Sequence, residues 1–189
     1  MTGYERLVSV LRGEWPDRMP VLPIVHTALA GLAGVPLGRY FTDANAMASV
    51  AVEGYRRFGF DGVQLSLGVT GESEALGAAV EQPPDAAPVL KQHLLADPTH
   101  LDALRARNAA AGGRMPLFFD AVEKVAGRIG HEAFVLATLR GPLLIAAQLR
   151  GIEDILVDMI ERPEAVELSL IHISEPTRLL SISYAVFCL

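Results

Sequence analysis

One cysteine in 189 residues, Cys188 at the extreme end, is too few for a disulfide framework or a cysteine-rich metal site, which makes a cytosolic compartment the default. Long apolar runs are also missing. Hydrophobic residues make up 51% of the chain, yet charge, Gly or Pro breaks every stretch before eighteen residues, so no membrane-spanning segment is expected. Glu5, Arg6 and Arg12 interrupt the N-terminus and argue against a signal peptide. There is no basic cluster, and the formal net charge of −6 points away from a nucleic-acid partner. Neither a Gly-x-Gly-x-x-Gly following a strand nor a Walker loop is present, which removes the main support for a nucleotide-binding architecture.

What remains is an alternation of apolar strand-like runs and amphipathic helices. Thr2 and Glu5 form a Thr-x-x-Glu capping box, and Tyr4, Leu7, Val8 and Leu11 recur at helical spacing up to Gly13. Residues 19–25 are a short apolar run expected to form a first buried strand ending at His26-Thr27. Residues 28–35 read as either a helical turn or a loop. Thr42 and Asp43 offer a cap for a long helix whose apolar face carries Ala44, Met47, Ala48, Ala51, Tyr55 and Phe58.

A second strand is expected over 62–67, followed by a Gly-rich turn, 68–74, that carries acids and hydroxyls. Residues 79–81 read as a short strand, 97–104 as a brief helix and 109–114 as a flexible loop. A helix from Pro116 to Gly127, a third strand over 134–139 and helices over 143–149 and 152–160 complete the pattern. Strands and helices in this order imply parallel pairing, met by a doubly wound sheet or a barrel, and the missing nucleotide motifs favour the barrel. The expected fold is therefore α/β, the N-terminal portion of a truncated (β/α)8 TIM barrel, since about 250 residues make a whole one. In such folds functional groups stand just past the carboxyl ends of the strands, which directs attention to the turn 68–74.

The segment 168–189, LSLIHISEPTRLLSISYAVFCL, has a different character. It resembles conceptual translation through a transposase-type sequencing adapter: LSLIHISEPTR matches a constant arm, ISYAVFCL a primer-binding end, and Leu179, Leu180 and Ser181 fill the place of a short index. On this reading 1–167 is the domain and 168–189 a non-native tail, so His172 and Cys188 leave the list of candidate ligands. Glu175 and Arg178 cancel, leaving the first 167 residues at −6. The helix begun by ERPEAVE is expected to be interrupted there. The fragment alone is expected to be inactive and poorly stable, with strand edges left unpaired.

Three stretches carry a family resemblance. YERLVSVLRGEWPDRMPVLP, YRRFGFDGVQLSLGVTGESEALGAAVE and GPLLIAAQLRGIEDILVDMIERPEAV, in this order, resemble the uroporphyrinogen decarboxylase superfamily, and more closely its cobalamin-dependent methyltransferase branch. The decarboxylases carry arginines after the first strand, where this chain has Val25 and Leu29. They have an aspartate at the position of Gly68 and a tyrosine at that of Gln148. A porphyrinogen with many carboxylates needs cationic partners, and its decarboxylation needs a carboxylate against the pyrroles. Without these groups the chain has no basis for that reaction. The methyltransferase resemblance implies a parent enzyme that moves a methyl group between a corrinoid (methylcobamide) and a thiol or similar acceptor. It further implies zinc bound by a His-x-Cys pair and a later Cys in a second half not contained in this sequence. A corrinoid protein or a tetrapyrrole-type small molecule is the implied partner. Porphyrinogen decarboxylation and a non-catalytic corrinoid or tetrapyrrole binder are the alternatives.

Individual residues are weighed against this. His26 follows the first expected strand, either orienting substrate or simply satisfied by backbone. Glu72 or Glu74 offers an acid or base, set against a solvated carboxylate at a helix start. Ser66, Gly68 and Thr70 surround the same turn. Arg140 leads into Gly141-Pro142 and suits a phosphate or carboxylate of corrinoid or substrate, or else a surface ion pair. Gln148 reads as a polar contact for substrate or corrinoid. His93, His100 and His131 lie on presumed surface connections, and no metal-ligand pattern links them.

Overall fold

The computed structural model describes residues 1–97, 101, 104 and 108–184, the residues 174–184 by their backbone only. The elements in chain order are α1 (Gly3–Leu11), α2 (His26–Leu32), α3 (Leu37–Thr42), α4 (Ala44–Phe58), β1 (Gly62–Leu65), α5 (Gly71–Ala75), β2 (Val80–Glu81) and β3 (Val89–Leu90). A 3-10 turn (Ala109–Ala111), α6 (Met115–Ile129), β4 (Phe134–Ala137), α7 (Pro142–Arg150), α8 (Ile152–Glu161) and α9 (Pro163–Tyr184) follow. The chain divides into two compact units. One comprises Met1–Ser66, Pro84–Ala87 and Leu117–Thr138; the other comprises Leu67–Pro83, Pro88–Pro116 and Leu139–Leu189.

In the first unit, β1 and β4 pair in parallel, with Gly62 opposite Phe134 and Leu65 opposite Ala137. Val63, Leu65, Met47, Val50, Phe118, Val125 and Ile129 are buried around this pair. The capping box forms as the sequence predicts: Thr2 Oγ1 accepts from Glu5 N–H and Glu5 accepts from Thr2 N–H. Asp43 caps α4 by accepting from Asn45 N–H at 2.8 Å and Ala46 N–H at 3.3 Å.

Residues 19–25 depart from expectation. They are extended, yet they form no strand. Pro20 and Pro23 have no N–H to give a ladder, and Val21 gives its N–H to the Asp61 carboxylate instead. The Val21 carbonyl makes a ladder-like bond, accepting from Asp61 N–H at 2.8 Å. Asp61, 2% exposed, also accepts from Arg6 at 2.9 Å and from the half-exposed Arg18 at 2.7 Å, so an ion cluster around a buried carboxylate replaces main-chain pairing at this point.

In the second unit, β2 and β3 form a short antiparallel pair. Leu67, Leu76, Leu95, Met115, Ile145, Leu149, Ile155 and Ile173 make its core. Arg150 closes α7 by donating to the Leu95 carbonyl at 3.2 Å and to Asp158 at 2.8 Å, while Asp158 also pairs with Arg162.

Other boundaries shift. The strand expected over 62–67 stops at Leu65 and that over 134–139 at Ala137. The segment 28–35 resolves as helix α2, which starts at His26; α3 was not foreseen; and 109–111 forms a 3-10 turn where a loop is expected. The brief helix expected over 97–104 lies largely outside the described residues, as does His100. Helix α9 begins in the ERPEAVE stretch and continues past Glu167 to Tyr184 without the expected interruption.

Candidate functional site

The turn that follows β1 in the chain is built by the second unit. Gly68 turns the backbone with φ 81°, a conformation a side chain would strain. Two residues later Thr70 starts α5, a helix of only five residues. Ser73 is fully buried, and Thr70 and Glu72 are 3% and 4% exposed, so the acids and hydroxyls read from the sequence are not a solvated surface.

Glu72 and Glu74 are separated by their surroundings. The Glu74 carboxylate accepts from Arg114 at 2.6 Å and is an ordinary ion pair. Glu72 has no ion-pair partner among the described residues. Its Oε1 accepts from the Arg140 backbone N–H at 2.7 Å, and its Oε2 is buried with no hydrogen-bond partner among the described residues. Burial pushes the Glu72 carboxyl above the usual glutamate range, only partly opposed by the Arg140 N–H and by the charges of Arg140 and Arg114. The Thr70 hydroxyl is likewise buried without a partner among the described residues.

Two residues on the segment from Arg140 through α7 hold this turn. The Arg140 guanidinium donates to the Gly68 carbonyl through Nε and Nη2, both at 3.3 Å, and meets no carboxylate within ion-pair distance among the described residues. Gln148 donates from Nε2 to the Val69 carbonyl at 2.6 Å and accepts at Oε1 from the Ser73 hydroxyl at 2.6 Å. Gly68, Glu72, Arg140 and Gln148 therefore come together on this turn.

His26 and Ser66 belong to the first unit. His26 is the first residue of α2, not the end of a strand. With Tyr40, Gln64 and several apolar side chains it lines a cavity of about 10 Å³, room for at most a single water. Ser66 is 2% exposed. Sequence reasoning overlooked Ser73 and Arg114. Neither sits in a motif: Ser73 lies between two acids that draw attention away from it, and Arg114 is 40 residues downstream of the carboxylate it pairs with.

A family model described as uroporphyrinogen decarboxylase (URO-D) matches residues 2–179. The chain belongs to the URO-D family. Among curated relatives, the methylcobamide:CoM methyltransferase MtbA of Methanosarcina acetivorans is 26% identical over 158 residues, covering 80% of this chain and 46% of the relative. The methylcobamide:CoM methyltransferase MtaA of Methanosarcina barkeri is 24% identical over 174 residues, covering 87% and 50%. A solved methyltransferase from Methanosarcina mazei superposes with a TM-score of 0.86 at 21% identity, covering 96% of this chain and 55% of that one. The likeness gives this URO-D chain the fold of part of a (β/α) barrel. The chain spans about half the length of the curated relatives it matches.

Proposed function

We propose that this URO-D chain carries part of the site of a corrinoid-dependent methyltransferase, one that passes a methyl group between a methylcobamide and a thiol or similar acceptor. The observation that carries this reading is the pairing on one turn of an enclosed carboxyl, Glu72, with a guanidinium, Arg140, that has no carboxylate partner among the described residues. The names of the relatives support it. The decarboxylase alternative loses ground at Gly68, which has no side-chain carboxylate and whose carbonyl accepts from Arg140.

When bound, methylcobamide supplies the methyl group, whose bond to cobalt is exchanged for a bond to the acceptor sulfur. In this reading Arg140 holds the anionic end of the acceptor and Glu72, in its ionised form, takes the proton the thiol gives up. Among the described residues no group of three or more His, Cys, Asp or Glu side chains is placed to hold a metal ion. The zinc that the family resemblance implies therefore finds no ligand set among the described residues. No described helix is long and apolar enough to cross a membrane; a cytoplasmic setting belongs to the proposal, as does the view that 168–189 is an adapter-derived tail.

Calorimetric titration of the 189-residue chain with methylcobalamin and with coenzyme M, an anionic thiol, tests this. Both are expected to bind, and Arg140→Met is expected to weaken coenzyme M about tenfold, roughly 1.4 kcal/mol, while sparing methylcobalamin. Absence of corrin binding, or conversion of uroporphyrinogen to products with fewer carboxylates, overturns it.

A further inference from the structure

Helix α5 is too short to hold its own geometry. Five residues lie far below the length at which a helix is stable alone, and Thr70 at its N-cap makes no side-chain capping bond. Whatever fixes the turn must come from outside it. The Gln148 carboxamide meets that need at two points, the Val69 carbonyl and the Ser73 hydroxyl, which lie on either side of Glu72 in the chain. A carbonyl only accepts, so the Val69 bond fixes which end of the amide is Nε2 and leaves Oε1 for Ser73. Gln148 is anchored in turn: it stands on α7, and its backbone carbonyl accepts from His93 Nδ1 at 2.7 Å.

We infer that Gln148 is a positioning residue, not a substrate contact: its carboxamide clamps the Val69–Ser73 turn and so keeps the Glu72 side chain enclosed. Both of its polar atoms are already engaged within the protein. Glu72 faces the positive charges of Arg140, ahead of α7, and Arg114, ahead of α6, which favour its ionised form, while enclosure favours the neutral one. Loosening the clamp admits water and tips that balance toward ionisation. The exposed His93 touches the clamp through the Gln148 main chain rather than the carboxyl itself. The inference rests on reading Glu72 as the acid–base group of the site. Its test follows protonation rather than turnover, so a failure of the methyl-transfer reading leaves the result standing.

The experiment is a carbon-13 NMR titration of the side-chain carboxyls in the 189-residue chain, with the Glu72 signal assigned by its loss in Glu72→Gln. Glu72 is expected to titrate above the usual glutamate range. Gln148→Met, similar in length but unable to make either bond, is expected to lower that midpoint by about half a pH unit or more. Ser73→Ala removes one of the two contacts and is expected to give a smaller shift in the same direction. A Glu72 midpoint that does not move in either variant, even with a lowered melting temperature, overturns the inference and leaves Gln148 a purely structural contact. Should Gln148→Met fail to fold, an unmoved midpoint in Ser73→Ala overturns it alone.

Discussion

Glu72 shows how far a single residue can depart from the environment its neighbours suggest. Two glutamates stand two positions apart in the first turns of α5, where the helix dipole welcomes both. One is paired with Arg114; the other is enclosed and accepts from the Arg140 backbone N–H. Because burial raises the Glu72 pKa in the folded state, the folded chain holds this proton more tightly than the unfolded one. The stabilisation is complete below the unfolded value, about 4.3, and is lost as pH rises through the raised folded value. Glu72→Gln keeps the acceptor for the Arg140 N–H and has no charge to bury. Urea unfolding at a series of pH values is expected to show wild-type stability declining across that window while the variant stays level there, so that the variant gains on wild type as pH rises. Parallel curves would mean that Glu72 is solvated. The sequence displayed the acid and its turn, but telling Glu72 from Glu74 required a guanidinium 40 residues away, and no local pattern encodes that distance.

Elements were legible where the local signal and the tertiary environment agree. The capping box of α1, the Asp43 cap of α4 and the apolar periodicity of α6 and α8 all lie where the sequence puts them, because each is a short-range preference that packing reinforces. Residues 19–25 have the apolar content of a strand but carry two prolines that deny it a ladder, and the six residues of α3 carry too little periodicity to signal a helix. The seating of α5 was equally hidden, since it depends on close approach rather than on pattern. A Cβ on Gly112 would stand 2.1 Å from the Ala75 carbonyl oxygen, backbone that cannot step aside. Gly112→Ala is therefore expected to cost about 1–3 kcal/mol or more by overpacking. Gly127, inside α6 with no atom within 4 Å of its would-be Cβ, makes the contrast: Gly127→Ala is expected to gain about 0.5–1 kcal/mol. Denaturant midpoints that move in opposite directions bear this out, whereas a neutral Gly112→Ala would show that α5 is not seated against that backbone.

For the whole molecule, packing and provenance are separate questions. Ser169, His172 and Ile173 lie in the proposed adapter-derived tail, yet they are 5%, 8% and 0% exposed in α9, and Ser169 donates to the Val166 carbonyl at 2.7 Å. The hydrophobic effect is non-directional, so an apolar run such as LSLIHI will bury itself against an open apolar face whatever its origin. Burial thus predicts an energetic consequence without deciding descent. Ending the chain at Glu167 removes a fully buried isoleucine, and the second unit is expected to lose at least about 2 kcal/mol. Urea unfolding of 1–167 beside 1–189 measures it, and equal midpoints would mean that the packing of Ile173 contributes nothing. Reading the parent DNA past codon 167 addresses descent. A frame that departs from LSLIHISEPTR there, and runs on into a His-x-Cys and a later Cys, supports both the adapter proposal and a zinc-dependent methyltransferase parent. A frame that departs without those residues keeps the adapter and removes zinc. If the genomic frame reads LSLIHISEPTRLLSISYAVFCL, the tail is the protein's own, and the destabilisation measured on removing it is the reason the chain keeps it.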